Sequence, residues 1–154
     1  MIGQKVKEIL LENEEYFLVS ADNVATLQDT NSLEHAFLVL TNIGYSRIPV
    51  VDRKEKLVGS VSLSMVVEVM IDTESINPDK LSEVLVSDVM DKDVKSLKQP
   101  FEIEKILNLL VDANFVPVVD DDGVFKGIVT RKEILKSVNH LAHEIESRYA
   151  LQTK

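Results

Sequence analysis

The sequence predicts an α/β (α+β) fold made of two β-α-β-β-α repeats related by pseudo-twofold symmetry. Three observations carry that expectation. The run Tyr45-Ser46-Arg47-Ile48-Pro49-Val50-Val51-Asp52 is answered 68 positions later by Asn114-Phe115-Val116-Pro117-Val118-Val119-Asp120. At the same distance beyond each proline comes a glycine in a β-branched stretch, Leu57-Val58-Gly59-Ser60-Val61-Ser62 and Phe125-Lys126-Gly127-Ile128-Val129-Thr130. Ser62 and Thr130 then each stand ahead of a segment with apolar residues at helical spacing. Constant internal spacing implies two copies of one unit. Each copy has only about 55 residues, which favours two units fused through their apolar faces.

The elements follow in order. Val6, Ile9 and Leu10 lie at helical spacing among lysine and glutamate, giving a short amphipathic helix in residues 1–17 that leads into the first repeat. Repeat 1 occupies 18–72. It opens with a short strand from Val24 to Leu27, followed by a helix whose apolar face is Leu33, Ala36, Phe37 and Leu40. Asn31 with Glu34 forms a capping-box pattern, and Ser32 is a competing cap. Ile48 to Val51 is a strand that Pro49 places at a beginning or an edge, because proline cannot donate to the ladder. Asp52 to Lys56 turns the chain, Leu57 to Val61 returns, and Ser62 caps a helix carrying Met65, Val66, Val69 and Met70 as core or dimer surface.

Residues 73–86 read as the linker, with a helical turn after Pro78. Repeat 2 occupies 87–143 and restarts with a strand from Val94 to Leu97. A helix over 101–112 turns Ile103, Ile106, Leu107 and Leu110 inward, and the Pro117 hairpin follows. Thr130 caps a last helix carrying Ile134, Leu135, Val138 and Leu141, which runs toward Tyr149. Residues 144–154 form the end of that helix and a tail, with Arg148 and Tyr149 as candidates for contact with a second protomer.

Composition narrows the function. Of the 154 residues, 45% are hydrophobic, which supports a real core, and the formal charge of -9 argues against nucleic acid as a partner. A small anionic ligand needs only a few local donors. There is no cysteine, so disulfides, thiolate catalysis and thiolate metal sites are absent together. No signal-peptide core and no membrane-length apolar run is evident, which leads to the expectation of a soluble, cytoplasmic protein with no membrane partner. Asp120-Asp121-Asp122-Gly123 suits a turn better than a calcium loop. His140, His143 and Glu144 share a helix face but read as solvated residues, so no metal site is expected. Ser60, Ser62 and Ser64 have no identifiable histidine base, and no catalytic residues are assigned.

The twofold Pro-Val-Val-Asp unit, each copy followed by Gly-hydrophobic-Val-Ser/Thr and a helix, resembles a tandem cystathionine-β-synthase (CBS) domain pair over about residues 18–143. That resemblance implies a disc-like module with clefts between its repeats, association of two discs into a homodimer, and an adenosine-containing ligand that regulates another protein. The stretches Val24 to Gln28, Asn31 to Pro49 and Phe125 to Lys132 are similar to the small stand-alone bacterial CBS proteins that bind cyclic di-AMP. Membership of that branch implies a partner such as an alarmone synthetase or a central-metabolic enzyme. AMP or ATP is the alternative ligand, and an interaction module without ligand is the alternative function.

The resemblance also points to a site. Val24, Ala25 and Thr26 would line a cleft with small side chains and backbone polar groups. Tyr45, Ser46 and Arg47 correspond to the segment that contacts the base in the family, and Ile48 or Pro49 would give the purine an apolar face. Thr130, Arg131 and Lys132 would supply the phosphate side: a helix N-terminus, a hydroxyl and two cations. Relatives that grip AMP or ATP often carry Thr/Ser-x-x-Asp here. This chain has Glu133 in the second copy and Met65 in the first. One site per chain is therefore expected, with cyclic di-AMP favoured over mononucleotides.

Overall fold

The computed structural model describes residues 2–12, 17–72 and 74–149, with the side chains of Arg148 and Tyr149 and the tail beyond them outside the described residues. The expectation that Arg148 and Tyr149 contact a second protomer thus falls outside those residues too. In chain order the elements are α1 (Gln4–Leu11), β1 (Leu18–Ser20), a 3-10 turn (Ala21–Asn23), β2 (Leu27–Gln28), α2 (Leu33–Ile43), β3 (Arg47–Val51), β4 (Leu57–Ser62) and α3 (Leu63–Met70). A second 3-10 turn (Pro78–Ser82) and α4 (Val86–Val89) lead to α5 (Ile103–Asp112), β5 (Phe115–Val119), β6 (Phe125–Thr130) and α6 (Arg131–Tyr149).

Two three-stranded sheets result, ordered β2-β3-β4 and β1-β6-β5. In each, the Pro-Val-Val-Asp strand pairs antiparallel with the glycine-containing strand, Pro49 opposite Ser60 and Pro117 opposite Ile128. Pro49 is the third residue of β3 rather than its first. It is tolerated there because the parallel partner β2 begins its pairing only at Val50. The repeated aspartate is a turn device. Asp52 Oδ1 accepts from the N–H groups of Lys54 and Lys56 at 2.8 and 3.0 Å, and Asp120 Oδ1 from those of Asp122 and Val124, both at 2.9 Å. These bonds, that of Val124 foremost, hold the Asp120 carboxyl below its ordinary range, with Lys126 adding to them.

The two hairpin tips join the repeats. Leu57 N–H donates to Gly123 O at 3.1 Å and Phe125 N–H to Glu55 O at 2.9 Å, a reciprocal pair across the pseudo-twofold axis. A second symmetric pair anchors the helix starts, Leu63 N–H to Ser46 O and Arg131 N–H to Asn114 O, both at 2.8 Å. Between the repeats, Val51, Phe125 and Ile128 form a small apolar cluster with Val19, Val24 and Phe115 around it.

The helices follow their caps. Ser32 Oγ accepts from His35 N–H, Ser62 Oγ from Met65 N–H and Thr130 Oγ1 from Glu133 N–H. Asn31 instead ties back to Gln28, its Oδ1 accepting that residue's N–H at 2.8 Å, so Ser32 is the cap of α2. Gly44, at φ 72°, ends α2 in the left-handed conformation that glycine adopts without a Cβ penalty.

Three expectations are revised. The strand expected over Val24 to Leu27 is shifted to Leu27–Gln28, because Ala21–Asn23 is wound into a 3-10 turn and Val24 N–H closes it onto Ala21 O. In the second copy only Leu97 pairs, with Val118. The N-terminal lead-in serves repeat 2 rather than repeat 1. Ile9, Leu10 and Phe17 are buried with Leu97, Ile106, Val129 and Leu141, and β1 pairs with β6. On α6, Ile134 and Leu141 are buried, whereas Leu135 is 60% exposed and turned away from that core.

Candidate functional site

Between the repeats lies a cavity of about 830 Å³. Repeat 1 contributes Val24 and Ala25 from the approach to β2, Tyr45 from the α2–β3 connection, and Arg47 and Pro49 from β3. Repeat 2 contributes Asn114, Phe115, Ile128 and Thr130, and Val19 of β1 closes one side. The first three turns of α6 form the remaining wall with Arg131, Lys132, Glu133, Leu135, Lys136 and Asn139. Strand periodicity explains the selection on β3. Successive side chains alternate, so Arg47 and Pro49 face the cavity while Ile48 and Val50, both fully buried, face the core.

Val24, Ala25, Tyr45, Arg47, Pro49, Thr130, Arg131 and Lys132 therefore come together around one space. Three residues singled out in the sequence do not line it. Ile48 is turned away by the alternation. Ser46 spends its carbonyl on Leu63 N–H, and its side chain is exposed. Thr26 is half-buried and is not among the lining residues.

The cations differ in how they are held. Arg131 donates from Nε and Nη2 to Leu110 O at 3.0 and 2.8 Å, and from Nη2 to Val111 O and Ala113 O at 3.3 and 3.2 Å. Its guanidinium thus caps the C-terminal carbonyls of α5, where positive charge is favoured. Among the described residues Nη1 makes no hydrogen bond, and Arg131 is one of the residues lining the cavity. Arg47 Nη1 donates to Ser60 Oγ, and its guanidinium lies 3.8 Å from Asp91 Oδ2. Lys132 has no ion pair among the described residues, and Lys136 lies 3.5 Å from Glu133 Oε1. Thr130 Oγ1 accepts the Glu133 N–H at 3.1 Å, yet its own proton remains available to donate.

Four cations and one carboxylate in a single cavity, on a chain of net charge -9, make a local positive well. Val19, Val24, Pro49, Phe115 and Ile128 give the same space apolar walls. The combination suits an anionic ligand with a flat, weakly polar portion. Among the described residues no group of His, Asp and Glu is arranged to hold a metal ion, and no helix is long and apolar enough to cross a membrane.

Sequence reasoning missed several lining residues. Asn114 and Phe115 stand at the repeat positions of Ser46 and Arg47, so the internal symmetry carried a signal for them. Leu135, Lys136 and Asn139 follow Lys132 at three, four and seven residues, the spacing of one helix face. Val19 lines the space through the pairing of β1 with β6, which local periodicity does not encode.

The arrangement is that of a paired-repeat module with a binding cleft between its halves. The CBS domain model matches residues 15–72 and 86–140, and the chain belongs to the CBS-domain family. It is 37% identical over 139 residues to Cyclic di-AMP receptor B of Bacillus subtilis, covering 90% of this chain and 95% of that protein. The crystal structure of the CbpB protein of Listeria monocytogenes in complex with c-di-AMP is 45% identical, with a TM-score of 0.76 over 82% of this chain and 94% of that one. CbpB of Streptococcus agalactiae, 28% identical, superposes with a TM-score of 0.84 over 96% of this chain and 93% of that one.

Proposed function

We propose that this chain is a non-catalytic sensor that binds cyclic di-AMP in the cavity between its repeats, one ligand per chain. The cationic, apolar-walled cavity on an otherwise acidic protein is the observation that carries this reading. An adenine fits the Pro49, Phe115 and Val24 walls, with backbone groups near Ala25 available to its edge. A phosphate fits the corner made by Thr130, Arg131 and Lys132. Arg131 is suited to this role because the α5 carbonyls fix its plane, so little side-chain entropy is lost on binding. The ligands named for the Bacillus and Listeria relatives support the same assignment.

In this reading the chain acts as a cytoplasmic homodimer and passes the ligand signal to a separate protein. An alarmone synthetase or a central-metabolic enzyme is the class of partner proposed. Catalysis forms no part of the function.

Calorimetric titration of the purified chain with cyclic di-AMP, AMP, ADP, ATP and cyclic di-GMP tests the proposal. Cyclic di-AMP is expected to bind with one site per chain and a Kd below about 10 μM. Arg131→Ala should weaken it by about 1–3 kcal/mol, with thermal melting used to separate ligand loss from the lost cap on α5. Mononucleotide binding with no response to cyclic di-AMP would replace this reading with an AMP or ATP sensor.

A further inference from the structure

We infer that Asp91, in the segment between α4 and α5, limits the anion affinity of the cavity by serving as the counter-ion of Arg47. The inference rests on the phosphate-bearing ligand proposed above, but it concerns a residue that does not line the cavity. Arg47 lines it from β3, yet its guanidinium is held by two residues that do not. Nη1 donates to Ser60 Oγ and lies 3.8 Å from Asp91 Oδ2. Ser60 is 4% exposed, so the arginine is anchored in the protein at this end.

The internal repeat shows that this charge pair belongs to one copy alone. Arg47 and Ser60 stand at the repeat positions of Phe115 and Ile128. Ser60 bridges to Asp91, as Ile128 pairs with Val19. The second copy thus places the apolar trio Phe115, Ile128 and Val19 where the first places Arg47, Ser60 and Asp91.

The carboxylate is not needed to seat its own segment. Asp91 O accepts the Ser60 N–H at 2.9 Å, and Asp91 N–H donates to Ser60 O at 2.8 Å. Asp91 Oδ1 accepts the Asp93 N–H at 2.9 Å, a bond that an asparagine oxygen reproduces. What asparagine would remove is the negative charge beside Arg47. The two side chains are 41% and 39% exposed, so the pair adds little to stability. Its effect on binding is another matter, because Asp91 lies well within a Debye length of any phosphate that reaches Arg47. Such a phosphate meets an arginine whose charge is already offset.

The test is titration of the wild type, Asp91→Asn and Asp91→Glu with cyclic di-AMP and with adenosine, at about 50 and about 500 mM salt. Asp91→Asn is expected to bind cyclic di-AMP about threefold to fivefold more tightly at the lower salt, and within about 1.5-fold of the wild type at the higher. Asp91→Glu keeps the charge and should stay within about twofold of the wild type. Adenosine, which carries no phosphate, should bind the wild type and Asp91→Asn alike. In an Arg47→Met background the gain from Asp91→Asn should vanish, because the charge acts through Arg47. A merely structural role for Asp91 predicts the opposite sign, a weaker Asp91→Asn. Affinity unchanged or lowered in Asp91→Asn, an equal gain for adenosine, or a gain that survives without Arg47 would each overturn the inference and leave the proposed function standing. Failure of the wild type itself to bind cyclic di-AMP would instead remove the proposed function, and the inference with it.

Discussion

Gly127 shows how tightly one residue constrains the site. Its φ of 147° lies outside the range that side chains adopt readily, and a Cβ there would sit 2.0 Å from the carbonyl oxygen of Val19. β1 can approach β6 this closely only because position 127 has no side chain. Val19 and Ile128, which flank the contact, both line the cavity. Gly127→Ala therefore combines backbone strain with a backbone clash that no rotamer relieves. It should destabilise the chain by about 3–5 kcal/mol and lower its Tm by roughly 10 °C in a thermal melt. An unchanged melt would mean that β1 is free to shift away from β6. The paired position, Gly59, would bring a Cβ within 2.8 Å of Asp91 O, so both copies use glycine for the same close approach.

At the scale of elements, the two hairpin tips differ at one informative position. Gly123 and Glu55 are repeat counterparts with φ of 84° and 64°. The second copy has glycine where the geometry asks for it, and the first pays a left-handed penalty of about 1–2 kcal/mol. Glu55 keeps its structural role through its backbone, whose carbonyl accepts Phe125 N–H across the axis. Glu55→Gly should raise stability by about 0.5–1 kcal/mol once the greater freedom of the unfolded glycine is counted, a Tm increase of about 2–3 °C. The hairpins were legible in the sequence because proline, aspartate and glycine encode turn geometry locally. Which core α1 joins was not, since the spacing of Val6, Ile9 and Leu10 fixes an apolar face but not what covers it. The same limit applies to α6. Leu135 and Ile134 are equally apolar neighbours, yet they point about 100° apart around the helix, and only the tertiary fold decides which one is buried. In the cleft, the alternation on β3 separates Pro49 from Ile48, a choice that the sequence left open.

At the scale of the whole molecule, α1 is held on the repeat 2 core partly by a polar clasp at its N-terminal end. Glu104 Oε1 on α5 accepts the Ile2 N–H at 2.9 Å, and Lys7 Nζ of α1 lies 3.5 Å from the same oxygen. The Ile2 hydrogen bond first, then the charge of Lys7, holds the Glu104 carboxyl below the ordinary glutamate range. A carboxyl depressed in the folded state stabilises the fold above its unfolded pKa and loses that contribution as pH falls through its folded value. Docking of α1 should accordingly weaken on acidification from neutral pH into and below the glutamate range, before the apolar contacts of Ile9 and Leu10 give way. Glu104→Gln removes the titrating group, so its α1 docking should be weaker at neutral pH and flatter across that window. Hydrogen exchange of the α1 amides, followed from neutral to acid pH in both proteins, separates the two profiles. Parallel profiles would show that Ile9 and Leu10 alone hold the helix. Because α1 packs on the core that supports β6 and the start of α6, loosening it at low pH should also weaken ligand binding in the cavity, and the Glu104→Gln chain should show less of that decline.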